Sequence, residues 1–140
     1  MRNCIFILSG ILLFTICGCA QESNSDAEKL AIASAQLWLE IVDAEKYAES
    51  WEEAAELFKS AISEVNWEES IKVVRRPLGK VISRKLDSQK YMTSLPGAPD
   101  GAYVVIQYKT KFENKKVAVE TITPMLDNDG KWRVSGYYIK

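Results

Sequence analysis

One carboxylate in this chain stands where chemistry is possible. On a period of two, Glu120 shares a strand face with Ala118, Ile122, Pro124 and Leu126, so an inward turn of that face sets an acid among apolar groups, where its pKa must rise or a cation must pair with it. Arg84, between Ile82 and Leu86 on an earlier alternating stretch, is the natural cation. Tyr108 and Tyr138, on neighbouring stretches, would add phenol donors. A carboxylate base with a phenol aimed at a developing oxyanion is enough to move a proton next to a carbonyl. Two plainer accounts stand beside it. Glu120 and Arg84 form a structural ion pair, or Val117, Val119 and Thr121 make the core face and Glu120 meets water.

Composition narrows the rest. The 140 residues contain no histidine, which removes the commonest general base near neutral pH and the commonest zinc ligand. All three cysteines, Cys4, Cys17 and Cys19, lie in the first nineteen positions. No cofactor and no metal is expected. Arg75 and Arg76, with Lys72 and Lys80 nearby, are candidate surface contacts for an anion or a lipid headgroup, or cations that complement a helix C-terminus. The acid-rich stretch from Asp43 to Glu69 offers a basic partner a docking face or is a solvated surface, and it lacks Ca²⁺-loop spacing. "SLPGAPDG" (Ser94 to Gly101) lacks the form of a phosphate-binding loop. Net charge near zero gives nucleic acid no basic footprint.

The elements that must position these residues follow from periodicity. A helix is expected from about residue 27, capped by Asp26, with Leu30, Ser34, Leu37 and Ile41 as its stripe and Ala31, Trp38 and Val42 widening it. A second is expected over Tyr47–Ala61 and a third from Ser63, closed by Pro77 to Gly79. From Lys80 the period becomes two. Strands are expected over Lys80–Thr93, Ala102–Glu113, Val117–Leu126 and Lys131–Ile139, the last two joined by "NDG" at Asn128 to Gly130. Helices followed by a meander indicate an α+β domain, three N-terminal helices on a four-stranded antiparallel sheet.

The N-terminus carries an address. Arg2 is followed by an apolar run of about 13 residues ending at Cys17, too short to span a bilayer comfortably and suited to a signal peptide. Ile16-Cys17-Gly18-Cys19 resembles the lipobox of bacterial lipoproteins. The resemblance implies cleavage after Gly18, a diacylglyceryl thioether on Cys19 and an acylated amino terminus, hence a firm membrane anchor. The expected organisation is a signal peptide over 1–18, a polar tether over 19–26 and one domain over 27–140. Removing residues 1–18 takes away Arg2 and no acid, so 17 of the 18 Lys and Arg remain against 19 Asp and Glu, a net charge of −2. The mature body has no free thiol. Ala20 is not Asp, which by the lipoprotein pattern implies the periplasmic face of the outer membrane if the source is Gram-negative.

"YAESW" (Tyr47 to Trp51), "RRPLGKVISRKL" (Arg75 to Leu86), "SLPGAPDGAYVV" (Ser94 to Val105), "VETITPM" (Val119 to Met125) and "DGKWRVSGYYI" (Asp129 to Ile139) resemble the bacterial family called domain of unknown function 4019. The resemblance covers Ala33 to Lys140 and implies an envelope protein, with no activity or catalytic residue to carry over. By looser analogy the element order is similar to the cystatin-like fold of the nuclear-transport-factor-2 superfamily, which implies a sheet curved into a cone around a helix, with a pocket of Arg84, Tyr108, Glu120 and Tyr138. The resulting expectation is a lipid-anchored, non-enzymatic envelope module that binds a partner protein or a small apolar ligand. It competes with an isomerase of the ketosteroid-isomerase type using Glu120 as base, and with a purely structural envelope component.

Overall fold

A computed structural model describes residues 19–140; the signal segment expected over 1–18 lies outside the described residues. Four helices, α1 (Cys19–Asp43), α2 (Tyr47–Glu52), α3 (Glu56–Ala61) and α4 (Glu64–Arg75), precede four strands, β1 (Val81–Met92), β2 (Tyr103–Phe112), β3 (Lys115–Leu126) and β4 (Trp132–Ile139). The strands form one antiparallel sheet in the order β1-β2-β3-β4. The cone expected from the fold analogy is corrected here: the sheet is open, with β1 and β4 as its edges, and does not curve into an enclosure. One face of the sheet packs on a core of side chains from α1, α2, α3 and α4.

The helical half differs from expectation in three ways. Helix α1 already begins at Cys19, so the backbone expected as a tether is helical and Asp26 lies inside the helix, paired with Lys29 at 3.5 Å. The buried stripe of α1 is Ala31, Ala35, Trp38, Leu39 and Val42, while Leu30 and Leu37 are 59% and 64% exposed. Both stripes have helical spacing, and the one with two alanines lets the helix approach the sheet closely. The single helix expected over Tyr47–Ala61 is broken at Ala54 and Ala55, which gives four helices instead of three. Ala55 is extended (φ −62°, ψ 154°) and fully buried, and its N–H donates to the carbonyl of Val134 on β4 at 2.9 Å. Breaking the helix sets that N–H free to bond the edge strand.

Helix α4 is capped by Ser63, whose Oγ accepts from the Asn66 N–H at 3.3 Å. Its buried stripe, Trp67, Ile71 and Arg75, recurs every four residues. Trp38, Phe58, Trp67 and Tyr137 form an aromatic cluster with ring centroids 4.9–6.3 Å apart. Ser50 satisfies both buried indoles: its carbonyl accepts from Trp38 Nε1 at 2.7 Å and its hydroxyl from Trp67 Nε1 at 2.9 Å. Val104, Ile106, Ile122 and Val134 complete the core from the sheet.

The turn from α4 into β1 depends on Gly79. Its φ is +73°, and an added Cβ would lie 2.9 Å from Glu113 Cβ and 2.6 Å from Glu113 Oε2, an atom already bonded to the Lys80 N–H at 3.0 Å. Gly79→Ala is expected to cost about 2–3 kcal/mol from left-handed strain plus crowding. Gly97→Ala has a φ of +76° but meets nothing within 4 Å, so about 1–2 kcal/mol of strain is all it should lose. Urea unfolding of the two variants measures the difference.

Candidate functional site

Every layer of the fold contributes to one charged cluster. Residues of β2 and β3 alternate, turning Thr110 and Glu120 inward, while Arg84 stands opposite Thr110 on β1 and Tyr108 opposite Glu120. Asp43 ends α1 and Arg75 ends α4. Glu120 is 0% exposed. Its Oε1 accepts from Arg84 Nε at 2.7 Å and Thr110 Oγ1 at 2.5 Å, and its Oε2 from Arg84 Nη2 at 3.2 Å and the Tyr137 hydroxyl at 2.5 Å. The other side of the Arg84 guanidinium donates to Asp43, Nη1 to Oδ2 at 2.7 Å and Nη2 to Oδ1 at 3.1 Å. Asp43 Oδ1 also accepts from Arg75 Nη2 at 2.8 Å.

Two guanidinium and two carboxylate charges therefore cancel in a chain running Arg75–Asp43–Arg84–Glu120. Such a cluster repays its desolvation only when the remaining lone pairs and protons are bonded, and Glu120 meets that condition with four donors. Arg75 does not meet it in full: among the described residues its Nε and Nη1, like the Tyr108 hydroxyl, are buried without a partner. The Arg75 guanidinium lies 5.2 Å from the centre of the Phe112 ring, a cation–π contact that offsets part of this cost.

The electrostatics follow the geometry. Burial works against the charge of Asp43, but hydrogen bonds and attraction from Arg84, then Arg75, prevail and hold its carboxyl below the ordinary value. Burial also opposes the charge of Arg84, yet Asp43 and Glu120 raise its pKa. Burial first, then the adjacent Glu120, push the Tyr137 hydroxyl well above its usual pKa, and burial does the same more mildly to Tyr108.

A pH dependence of stability results. A lowered folded-state pKa at Asp43 contributes stability that is complete above the ordinary value of 3.8 and is lost as the pH falls through the lowered value. Urea midpoints should hold level from neutrality to about pH 5 and drop below about pH 4. Asp43→Asn should flatten part of that drop. At the other extreme the raised pKa of Tyr137 gives a contribution present below 10 and lost as the pH climbs above it. Tyr137→Phe should remove that alkaline component.

The structure brings together three of the four expected pocket residues, Arg84, Tyr108 and Glu120. Tyr138 is not among them. It is 50% exposed on the outer face, and Tyr137 occupies the inner position instead. A β-bulge explains the exchange: Val134 pairs with Pro124 but Gly136 with Thr123, so Ser135 is an extra residue and inward positions shift from even to odd numbers. The expected surface pair also separates. Arg76 is exposed, whereas Arg75 is 6% exposed and lies inside the cluster. Its position was readable, since Arg75 continues the four-residue spacing of Trp67 and Ile71. Asp43 and Thr110 went unread as participants, Asp43 because it opens a run of solvated acids. The one signal for Thr110 was its place on the apolar face of β2.

Glu120 borders none of the main surface depressions. Both Glu120 oxygens are taken up by protein donors, while Thr110 and Tyr137, which bond to it, line separate shallow depressions. Among the described residues no group of three or more Asp, Glu, His or Cys is placed to hold a metal ion, and no helix is long and apolar enough to cross a membrane. No curated protein and no solved structure matches the chain. A family model described as "Protein of unknown function (DUF4019)" matches residues 34–137, a span that runs from the middle of α1 through Tyr137 and contains the whole cluster. On that match, this small α+β protein belongs to the DUF4019 family.

Proposed function

We propose that this chain is a lipid-anchored interaction module of the bacterial envelope, without catalytic activity of its own. The observation that carries the reading is the state of Glu120. The strongest candidate base is 0% exposed and accepts four hydrogen bonds, which leaves it no lone pair to offer and no route for a substrate. Packing of Trp38, Phe58, Trp67 and Tyr137 against one another in the interior supports a partner protein over a carried apolar ligand. What remains for function is the outer surface. There Leu30, Leu37, Ile41 and Trp132 flank an open groove of about 480 Å³ beside α1.

The anchor is proposed on the Cys19 lipobox, with cleavage after Gly18 and residues 19–140 as the mature protein. Attachment would depend on acyl chains alone, two or more of them holding firmly where a single chain binds marginally. The proposed location is the envelope, on the periplasmic face of the outer membrane if the cell is Gram-negative. An envelope protein is the proposed partner.

The test uses the full chain expressed with its own signal. Mass spectrometry of the mature N-terminus should find a diacylglyceryl-modified Cys19, and cross-linking in the native membrane should recover a specific partner. An unmodified terminus beginning at Met1 would remove the anchor. Turnover of a substrate abolished by Glu120→Gln in a variant that stays folded would overturn the non-enzymatic reading.

A further inference from the structure

The two edges of the sheet are not equivalent. Edge strand β1 carries two register irregularities and the charges Arg84, Lys85 and Lys90, the devices that keep an edge from pairing with other chains. Edge strand β4 is protected differently, and over half its length. The carbonyl of Trp132 accepts from Ser34 Oγ at 2.8 Å, and that of Val134 from the Ala55 N–H at 2.9 Å. Among the described residues the cover stops beyond the bulge. Lys140 exchanges both backbone hydrogen bonds with Val119, at 2.9 and 3.0 Å. By the alternation of an antiparallel ladder, Tyr138 also turns its backbone to β3, and Tyr137 and Ile139 point their N–H and C=O groups away from the sheet.

Beside this open half-edge lies a groove of about 220 Å³, lined by Trp67, Ser70, Ile71 and Val74 of α4 and by Tyr137, Tyr138 and Ile139 of β4. It is below the roughly 300–1,000 Å³ of small-molecule sites and of the order of one large side chain. Val74 and Tyr138 are large apolar residues left exposed on its rims. Free backbone donors and acceptors next to an apolar slot form the two halves of strand-addition recognition, in which the main chain supplies affinity and a pocket reads a side chain.

We infer that the half-edge Tyr137–Ile139 receives an extended segment of a partner protein, which adds a short strand to the sheet and lowers one large apolar side chain onto Trp67 and Ile71. The occupant is a peptide segment instead of a second copy because the open stretch is three residues, about 10 Å. Symmetrical pairing of two such stretches falls well short of the roughly 1,200 Å² of a stable interface. The inference rests on the reading of the chain as an interaction module and names the kind of partner.

The probe is a synthetic heptapeptide in which threonine alternates with isoleucine and a central phenylalanine, flanked by lysines for solubility, titrated into the mature chain and followed by amide NMR. Expected are saturable shifts at the Tyr137 and Ile139 amides and the Trp67 indole. Proline next to the central phenylalanine should abolish them, since proline has no N–H to donate. Val74→Lys, a change at an exposed position, should weaken binding at least tenfold while leaving the unfolding midpoint within error. No shift up to millimolar peptide, or equal binding of the proline peptide, would overturn the inference. So would concentration-dependent dimerisation that moves the same amides, which would give the edge to a second copy. The membrane cross-linking described above separates the two levels: a partner retained by the Val74→Lys variant removes the edge site and keeps the interaction module, and the absence of any partner removes both.

Discussion

Replacing Glu120 with glutamine is expected to destabilise the protein by about 3–5 kcal/mol, the usual result of removing one member of a buried ion pair. Gln preserves the shape, so the loss comes from charge and hydrogen bonding and not from a cavity. The variant leaves Arg75 and Arg84 facing Asp43 alone, one uncompensated positive charge among buried groups. At least one of the donors that now meet Glu120, Thr110 Oγ1 or Tyr137 OH, must also face the amide NH₂ of Gln. Both effects point the same way. The urea midpoint should fall steeply, and the native fraction at 37 °C should fall visibly for a domain of this size, whose whole stability is of order 5–15 kcal/mol.

Trp38→Ala carries the second large loss, about 3–5 kcal/mol. The indole sits between Phe58, Trp67 and Tyr137, with centroids at 6.3, 5.8 and 5.3 Å, and its Nε1 satisfies the buried carbonyl of Ser50. Truncation removes the contacts, opens a cavity between α1, α2 and α4, and leaves that carbonyl unpaired. Trp38→Phe separates the terms: it retains most of the volume and gives up the hydrogen bond, so it should cost about 1–3 kcal/mol. Thermal or urea unfolding of the two variants, followed by circular dichroism, measures both. A loss below 1 kcal/mol for Trp38→Ala would mean that the interior is loosely packed and able to admit a ligand.

The positions of all four strands and the general order of helices and strands were legible because alternation and turn residues are local signals. The inward turn of Glu120 was one of two orientations that periodicity allowed, and what decides between them is tertiary: Ala118, Ile122 and Pro124 bury together, and Arg84 arrives from 36 residues away. The choice between Tyr137 and Tyr138 was beyond a strict period of two, since it depends on one extra residue, Ser135, and bulges carry little local signature beyond a nearby glycine such as Gly136. The face of α1 was read in part: Ala31, Trp38 and Val42, expected at the margin of its stripe, are buried, and its expected centre at Leu30 and Leu37 is exposed. Hydrophobicity favours Leu30 and Leu37, but close packing on the sheet favours Ala31 and Ala35, and no single-helix pattern reports what lies opposite. The break between α2 and α3 likewise answers a carbonyl on β4 some eighty residues later. The open sheet corrects an analogy drawn from element order, which fixes connectivity and leaves curvature undetermined.

The central claim is that the charged cluster is a stabilising device and not a reactive centre. A double-mutant cycle on Arg84→Met and Glu120→Gln tests it most directly, read by urea unfolding at pH 7. Each single variant leaves the cluster with an unbalanced charge, while the double variant leaves Arg75 and Asp43 as a neutral pair. The account predicts that the double variant is at least as stable as the worse single variant, with a coupling energy of about 2–3 kcal/mol. Losses that add to within about 0.5 kcal/mol would contradict it.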